Sequence, residues 1–289
     1  MDHLTRKLFH LNHCRGIGRK TIRTLLKSDP QLDTLNRLSL KELTGVLNMK
    51  TTDAHNFLAD YHAFDVGKTE DYYTSRSIRM IGIYEDVYPP LLRCTDDPPL
   101  MIYAAGRIEL LQAKKSLSVV GTRYPSREAE QVIRRLTAPL IQSGWTIVSG
   151  MAAGVDGMAH RLALNGKTIA VLGSGLLSPY PRQHLELYRE LFKRQLVISE
   201  YPPLSGPERW RFPERNRIIS GLTLGTLIIE AKERSGSLIT ADQALEQGRE
   251  VFAAPGSILK ASSAGTNRLI QQGAKLVTSA DDILEELPE

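Results

Sequence analysis

Hydrophobic residues in the first 75 positions recur every three or four residues, which is the spacing of one face of a helix. The first such face consists of Leu4, Leu8 and Leu11. Glycines such as Gly16 and Gly18 interrupt the pattern, and runs of β-branched residues are rare. We therefore predict a small all-α domain over residues 1–75.

The pattern changes near residue 76, where two short strands are predicted at 79–83 and 100–103. From residue 115 onward, apolar runs alternate with helical stretches. The predicted strands of this part are 116–120, 146–149, 168–172, 196–199, 226–229, 250–253 and 275–278. The predicted helices between them are about 126–142, 153–165, 183–194, 237–247 and 264–272.

Short strands alternating with helices are typical of βαβ units, which place a parallel sheet between two layers of helices. A barrel would need eight such repeats, more than this chain contains. We therefore predict an α/β fold over residues 76–289, a Rossmann-like, doubly wound and mainly parallel sheet.

A length of 289 residues fits one large and one small domain. The longest apolar runs are far shorter than the roughly 20 residues of a membrane helix, and the first residues lack the apolar segment of a secretion signal. We therefore expect a soluble, cytoplasmic protein without a membrane contact. Two cysteines, Cys14 and Cys94, are too few for a disulfide framework or a cysteine-rich zinc site, so we expect no bound metal.

The formal net charge of +5 leaves room for an anionic partner, and three glycine turns suggest where it binds. Each turn follows a predicted strand, so all three lie at the carboxyl edge of the sheet, where doubly wound folds bind ligands. Glycine lets the backbone approach a bound group, and the N–H groups of the next helix suit phosphate. The turn residues in question are Gly121, Thr122, Arg123, Gly150, Gly173 and Ser174.

These turns predict an anion site, although glycines can also serve only to make tight turns. None of them matches the dinucleotide or Walker fingerprints, so we expect no nucleotide cofactor and no ATP hydrolysis. We expect no cofactor of any other kind.

The segment 208–217 interleaves arginines with aromatic residues. Guanidinium groups bind phosphates with two hydrogen bonds, and aromatic faces stack on unpaired bases. The mixture favours single-strand binding over duplex recognition, and the candidate contacts are Arg209, Arg211, Phe212, Arg215 and Asn216. The alternative is an ordinary loop whose arginines pair with Glu208 and Glu214.

A third motif surrounds a Gly-Ile-Gly turn that opens a basic helix. Its pattern resembles a helix-hairpin-helix, in which turn N–H groups meet a nucleic-acid backbone without reading sequence. A second DNA contact is therefore predicted at Gly16, Gly18, Arg19 and Lys20. The alternative is a hairpin that only packs against its neighbours. Elsewhere, Asp156 and His160 have the spacing of a buried hydrogen-bonded pair, which we favour over acid–base catalysis.

Seven motifs in series resemble the DprA/Smf family of DNA-processing proteins, over residues from about 79 to 278. They are Gly121-Thr-Arg, Ser149-Gly-Met-Ala-Ala-Gly-Val-Asp156, Ser199-Glu-Tyr-Pro-Pro203, Phe212-Pro-Glu-Arg-Asn-Arg-Ile-Ile-Ser-Gly221, Ser235-Gly-Ser-Leu-Ile-Thr-Ala241, Gly248-Arg-Glu-Val-Phe-Ala-Ala-Pro-Gly256 and Gly265-Thr-Asn-Arg-Leu-Ile-Gln-Gln-Gly-Ala274. The N-terminal region resembles the SAM-like or helix-hairpin-helix domain that many members carry. Some members end in a winged helix, and we expect its extra role to be absent here.

The resemblance implies a binding protein and not an enzyme. Members bind single-stranded DNA during natural transformation, protect it from nucleases and help to load the RecA recombinase. Their single-strand pocket corresponds here to Gly121 through Arg123 with Arg209, Phe212, Arg215 and Asn216.

Members also form homodimers through the C-terminal part of the Rossmann-like domain. In this sequence, the last predicted strand leaves an open sheet edge, which tends to find a partner. The apolar groups that we expect in the interface are Leu269, Ile270 and Leu276. Packing of all three against the sheet is the alternative.

Two rival functions remain open. The segment from Gly221 to Thr226, followed by Glu230, is similar to the motif of nucleoside-monophosphate phosphoribohydrolases. It departs from that motif because Ser220 replaces a proline, one extra residue separates the glycines and the glutamate comes one residue late. The other rival is a scaffold that contacts RecA and binds DNA only weakly.

Overall fold

The computed structural model describes residues 1–287, so positions 288 and 289 of the predicted second domain lie outside it. Within the described chain, residues 1–75 form helices, in agreement with the hydrophobic spacing. These are α1 (His3–Asn12), α2 (Arg19–Ser28), α3 (Leu40–Gly45), α4 (Thr51–Ala63) and α5 (Val66–Thr74), with a 3-10 turn at Leu35–Arg37.

Side-chain caps mark where several of these helices begin. The carboxylate of Asp2 accepts a hydrogen bond from the Thr5 backbone N–H at 2.7 Å, and Ser39 and Glu42 form a reciprocal capping box. The helices share one hydrophobic cluster with the rest of the chain, because Phe9 and Tyr73 pack against Tyr103. Their assignment as a separate domain stays a prediction.

The remaining residues build a nine-stranded sheet. Its strands are β1 (Arg79–Gly82), β2 (Met101–Gly106), β3 (Ser116–Val120), β4 (Thr146–Ser149), β5 (Lys167–Val171), β6 (Leu196–Ser199), β7 (Gly225–Ile228), β8 (Glu250–Ala253) and β9 (Lys275–Leu276). The order across the sheet is β1-β2-β6-β5-β4-β3-β7-β8-β9. Strands β3 to β9 pair in parallel, whereas β1 and β2 extend one side of the sheet as antiparallel strands. The predicted doubly wound, mainly parallel sheet is confirmed.

The helices of this part cover both faces of the sheet. They are α6 (Pro90–Arg93), α7 (Ala129–Gln142), α8 (Val155–Ala163), α9 (Leu185–Arg194), α10 (Arg211–Gly221), α11 (Gly236–Glu246), α12 (Ala264–Gln271) and α13 (Asp281–Leu284). Alternate residues of β3 point to opposite faces: Val119 packs in a cluster with α7, while Val120 packs in a cluster with α10 and α11. Burial on both faces explains why the strands are nearly continuous apolar runs.

The chain order creates one switch point in the sheet. The connections from β3 to β6 move outward in one direction, and the chain then returns to add β7 on the other side of β3. Loops that leave β3 and β7 at their carboxyl ends therefore diverge and leave a crevice between them. No helix within residues 1–287 is both long enough and apolar enough to span a membrane.

Candidate functional site

A cleft of about 630 Å³ occupies the switch point between β3 and β7. We call it the main cleft. Its walls come from residues 121–124 after β3, from residues 232–237 in the loop after β7 and the first residues of α11, and from the first turns of α10. The position agrees with the carboxyl edge that the glycine turns predicted.

Besides the buried Arg215, four basic side chains give the main cleft a positive charge. They are Arg123, Arg209, Lys232 and Arg234. All four are exposed, and none forms an ion pair or hydrogen bond through its side chain within the described residues. One acidic residue, Asp156, also lines the main cleft, and its side chain is buried in the floor of the cleft. The cleft therefore has the charge and the accessible donors to bind a polyanion.

The turn after β3 is held tightly so that Arg123 can project from it. The Thr122 N–H donates to the Glu230 carbonyl at 2.7 Å, and the buried Thr122 hydroxyl accepts the N–H of Tyr124. A β-carbon at Gly121 would lie 2.8 Å from Val155 Cγ2, so the close passage requires glycine. The exposed Arg123 guanidinium stands 5.9 Å from the ring centroid of Phe212.

The other two glycine turns differ from the sequence expectation. The Gly150 N–H donates to Asp156, and its carbonyl accepts a hydrogen bond from Arg215 at 2.7 Å. Gly173 lies under the ring of Phe212, and Ser174 is buried. None of Gly150, Gly173 and Ser174 lines the main cleft, and Gly150 is engaged inside the protein by Asp156 and Arg215.

The basic and aromatic segment is a helix start and not a loop. Residues from Arg211 onward form α10, which places Phe212 in its first turn, where the half-buried ring packs against Tyr180 with centroids 5.5 Å apart. Arg211 points away from the main cleft, donates to the Gly206 carbonyl at 2.7 Å and lies 4.6 Å from the Tyr201 ring centroid. The expected contact of Arg211 with the anion is therefore not at this cleft.

Arg215 is a second correction, because its side chain is only 4% exposed. Its Nη1 donates to the carbonyls of Gly150 and Val171 at the ends of β4 and β5. Burial lowers the pKa of Arg215 to about 10, and the nearby Asp156 opposes that shift. Burial raises the pKa of Asp156, against the opposing effect of Arg215 and of two backbone N–H groups. Arg215 therefore joins α10 to the sheet, and one edge of its guanidinium group lines the floor of the main cleft.

Asn216 joins α10 to the beginning of α11. Its Nδ2 donates to the Gly236 carbonyl at 3.3 Å, and its Oδ1 accepts from Arg215 Nε at the same distance. Both Asn216 and Arg209 line the main cleft, as the sequence analysis expected. Their contact with DNA stays a prediction.

Two helices, α1 and α2, flank the Gly-Ile-Gly turn, and their assignment as a helix-hairpin-helix stays a prediction. Gly16 has a φ of +77°, and a β-carbon there would lie 2.1 Å from the Asp53 carbonyl oxygen, while Gly18 caps α2. Lys20 is exposed.

Arg19 is engaged inside the protein. It pairs with Asp97 at 2.8 Å and with Glu214 on α10. A DNA phosphate that binds Arg19 would therefore have to displace the carboxylates of Asp97 and Glu214.

The three predicted interface residues lie in different surroundings. Leu269 is 6% exposed and belongs to the core cluster with α11, and Ile270 is half-buried against the same cluster. Leu276 is 44% exposed on β9, which is the last strand of the sheet. Leu269 is therefore a core residue, and Leu276 is the apolar group that the sheet edge presents.

The phosphoribohydrolase-like motif does not gather at the main cleft. Gly225 is the first residue of β7 and so lies at the amino end of that strand, opposite the cleft. The Glu230 carboxylate accepts hydrogen bonds from the N–H and hydroxyl of Ser126. Within residues 1–287, no group of three His, Cys, Asp or Glu side chains is arranged to hold a metal ion.

The sequence analysis missed several residues of the cleft. They are Tyr124, Tyr180, Lys232, Arg234, Ser235 and Ser237. The signal was available for the last four, because they follow the predicted strand 226–229 and must reach the same sheet edge as Arg123. Tyr180 had no such signal, because it reaches the cleft from a loop whose path depends on tertiary packing.

Fold and site together define a Rossmann-like α/β protein with a positively charged cleft at the switch point of its sheet. Residues 79–288 match the model of one family, the DNA recombination-mediator protein A family. The chain belongs to this family, which confirms the resemblance seen in the sequence motifs.

Relatives agree with that assignment. The DNA processing protein DprA of Bacillus subtilis is 47% identical over 219 residues, which cover 75% of this chain and 74% of that protein. The X-ray structure of DprA from Streptococcus pneumoniae is similar over 100% of both chains, with a TM-score of 0.85 and 36% identity. DprA from Helicobacter pylori, described for its single-stranded DNA binding mode, has a TM-score of 0.67 and 28% identity, over 73% of this chain and 97% of that one.

Proposed function

We propose that this protein binds single-stranded DNA without catalysis, protects it and helps to load RecA recombinase during natural transformation. The observation that supports it is the main cleft, where four exposed basic side chains surround the partly exposed rings of Phe212 and Tyr180. The Helicobacter pylori relative binds single-stranded DNA. A strand in this cleft would place its phosphates on the basic side chains.

The aromatic rings favour a single strand over a duplex. Phe212 and Tyr180 can stack only on bases whose faces are free, and a duplex hides those faces. The basic side chains alone would bind both forms, because phosphate contacts carry no sequence information. Preference for the single strand therefore depends on the rings.

The test is fluorescence anisotropy with a labelled oligothymidylate and with a hairpin duplex of the same charge, across a salt series. Four phosphate contacts predict a slope of about −3 for log affinity against log salt, since each contact contributes about −0.7 on a single strand. The single strand should bind more tightly at every salt concentration. Equal affinity for the two forms at moderate salt would overturn the proposed binding mode.

The proposal includes a homodimer. Strand β9 ends the sheet, and an uncovered strand with an exposed Leu276 beside it is a surface that favours self-association. Two copies related by a twofold axis would use the same patch twice. Two clefts would then hold one strand together, which raises the overall affinity.

The RecA part of the proposal predicts a functional effect in a reconstituted reaction. RecA filaments should form faster on a strand that carries single-strand-binding protein when this chain is added, and the strand should resist a single-strand exonuclease. An Arg123→Ala variant should lose both effects, because they depend on the strand being bound. Full activity of that variant in both assays would contradict the proposal.

The absence of catalysis is proposed on the placement of the enzyme-like motif, whose glycine lies at the sheet edge opposite the cleft. Incubation with nucleoside monophosphates should release no free base. Release of free base that an Arg123→Ala substitution abolishes would favour the enzyme. A filter-binding experiment with an oligonucleotide distinguishes the proposed DNA-binding protein from a scaffold, because a scaffold would retain almost no DNA on the filter.

A further inference from the structure

Two arginines of the basic helix α2 form ion pairs inside the protein. Arg19 Nε pairs with Asp97 Oδ2 at 2.8 Å, and Arg23 Nη2 pairs with Asp97 Oδ1 at 3.2 Å. Arg23 also donates to two backbone carbonyls of the same loop. None of residues 1–75, all of which the structure describes, lines the main cleft. The helix that the sequence analysis assigned to DNA therefore uses both arginines within the chain.

One of these arginines also reaches the helix that supplies residues of the main cleft. Arg19 Nη1 pairs with Oε1 of Glu214, and Oε2 of Glu214 accepts a hydrogen bond from the Tyr201 hydroxyl at 2.9 Å. Phe212 and Asn216 of the same helix line the main cleft. Because an α-helix turns by about 100° per residue, Glu214 and Phe212 lie on nearly opposite faces of α10. The helix therefore stands between the main cleft and α2.

The start of α10 has no side-chain cap. Its N-cap residue, Trp210, makes no side-chain hydrogen bond to the first turn within the described chain. A helix start without such a cap leaves backbone N–H groups unpaired, and helix ends fray. Glu214 lies in this first turn, where negative charge is favourable, and Arg19 and Tyr201 hold its carboxylate from other parts of the chain. These two contacts therefore restrain the first turn in place of a cap.

The pair belongs to a cluster of three arginines and three carboxylates whose formal charges balance. Its members are Arg19, Arg23 and Arg217 with Asp97, Glu200 and Glu214. Without Arg19, Asp97 and Glu200 would each keep another arginine, whereas Glu214 pairs with no other cation within residues 1–287. A half-buried carboxylate without a partner is unfavourable, so Glu214 would turn toward solvent and the first turn of α10 would move with it.

We propose that Arg19 is a positioning residue of the main cleft. Through Glu214 it holds the first turn of α10 in the orientation that presents Phe212 and Asn216 to a bound strand. The proposal rests on the proposed single-strand function, and it gives the N-terminal helices a part in binding that needs no contact with DNA.

Fluorescence anisotropy with a labelled oligothymidylate, across a salt series, tests this role. Arg19→Ala should weaken binding about 2- to 5-fold, in the lower range for a substitution that acts through a neighbouring element. The slope of log affinity against log salt should not change, because Arg19 binds no phosphate in this arrangement. A direct phosphate contact would instead reduce the magnitude of the slope by about 0.7.

Double-mutant cycles in the binding affinity show which part of the main cleft depends on Arg19. In a Phe212→Ala background, Arg19→Ala should cause little further loss, because the ring that it positions is absent. In an Arg123→Ala background it should cause its full loss, since Arg123 lies on the turn after β3 and not on α10. Glu214→Ala should weaken binding as much as Arg19→Ala, and the double variant should lose no more than either.

Control variants separate positioning from a general loss of stability. Arg23→Ala removes an arginine of the same helix that pairs with the same Asp97 but forms no ion pair or hydrogen bond with α10 within residues 1–287. It should lower stability and leave the affinity unchanged. Glu214→Gln keeps an oxygen that can accept from Arg19 and should lose less affinity than Glu214→Ala. If Arg19→Ala melts early, Glu214→Ala removes the same pair from the other side.

The outcomes are distinguishable. Unchanged affinity in both Arg19→Ala and Glu214→Ala, or an equal loss of affinity in Arg23→Ala, would overturn the positioning role. A smaller salt slope in Arg19→Ala would indicate a direct DNA contact and overturn it as well, as would equal losses in the Phe212→Ala and Arg123→Ala backgrounds. The single-strand function stands in all of these cases. Failure of the unmodified protein to bind the oligothymidylate would overturn both proposals.

Discussion

The ring of Phe212 lies directly against the backbone of Gly173. A β-carbon at Gly173 would stand 2.8 Å from Cδ1 and 3.1 Å from Cε1 of that ring. These distances are shorter than normal van der Waals contact, so only glycine leaves the ring in place. The glycine after β5 therefore determines where the aromatic group of the cleft stands.

Gly173→Ala should displace the Phe212 ring and weaken single-strand binding by up to about 3 kcal/mol, the upper range for one stacked base. The fold should survive, because the half-buried ring can tilt toward solvent. Gly206→Ala is the matched control, since its β-carbon would have no neighbour within 4 Å. Anisotropy titration measures both, and unchanged affinity in Gly173→Ala would show that the ring position is unimportant.

Arg123→Ala should weaken single-strand binding by about 1–3 kcal/mol, the usual loss for one charge-assisted contact. Its melting temperature should not change, because the side chain is exposed and unpaired within the described residues. The exposed Arg189 on α9 does not line the main cleft, so Arg189→Ala is the control of equal charge. Normal binding, or a strongly lowered melting temperature, would remove Arg123 from the site.

Arg19→Ala should act mainly on stability. The change removes ion pairs with Asp97 and Glu214 that join α2 to α10, and it should lower the free energy of unfolding by about 1–2 kcal/mol. A double-mutant cycle with Glu214→Ala should show coupling between the two residues. Additive losses in the free energy of unfolding would show that the ion pair between Arg19 and Glu214 does not contribute to stability.

Lys20→Ala tests direct DNA contact by the N-terminal motif. Its side chain is exposed and forms no ion pair within residues 1–287, so the substitution should leave stability unchanged. If the predicted second contact exists, affinity falls for all sequences alike and the salt slope decreases by about 0.7. An unaltered salt slope would assign the motif to packing alone.

His160 predicts acid sensitivity. It and Asp156 are both buried, but they bond to other groups: Nδ1 of His160 contacts Thr168 Oγ1 at 2.8 Å. That hydroxyl donates to the Ile147 carbonyl, so Nδ1 must be the donor, and Nε2 has no partner within the described chain. Burial, with help from nearby positive charge, lowers the pKa of His160 to about 3.

Because its pKa is lower in the folded than in the unfolded state, His160 contributes stability fully above about pH 6.5, and that contribution falls with pH down to about 3. Each pH unit between these values should remove about 1.4 kcal/mol. Chemical unfolding at pH 7.5, 6.0 and 5.0 should show a smaller loss for His160→Gln than for the unmodified protein. His55→Gln, at an exposed position, is the control, and equal slopes in all three proteins would refute the assignment.

Leu276→Glu should convert the proposed dimer to a folded monomer, because a twofold contact would bury two unpaired carboxylates. Ile270→Glu is a poorer test, since Ile270 packs against the core and its substitution also disturbs folding. As a control, Val46→Glu adds the same charge at a residue that is 77% exposed in the turn after α3. Sedimentation at micromolar concentration decides the point, and a Leu276→Glu variant that stays dimeric would exclude this edge.

The hydrophobic periodicity determined the α/β class, the parallel strands after residue 115 and the sheet edge at which ligands bind. It did so because strand burial and helix amphipathicity are local patterns, and because the carboxyl ends of parallel strands must share one edge. For the same reason, Arg123 could be placed at the site from its position after β3 alone. The family assignment was also contained in the order of the motifs.

Tertiary structure alone decided which of the predicted residues face the cleft. Arg209 and Arg211 are two positions apart, yet one lines the cleft and the other lies beside Tyr201, because Arg211 is the first residue of α10 whereas Arg209 precedes the helix. The burial of Arg215 depends on carbonyls contributed by two distant strands, β4 and β5. The sequence gives the spacing between residues along the chain. Whether a side chain is exposed depends on distant residues that pack against it only in the folded protein.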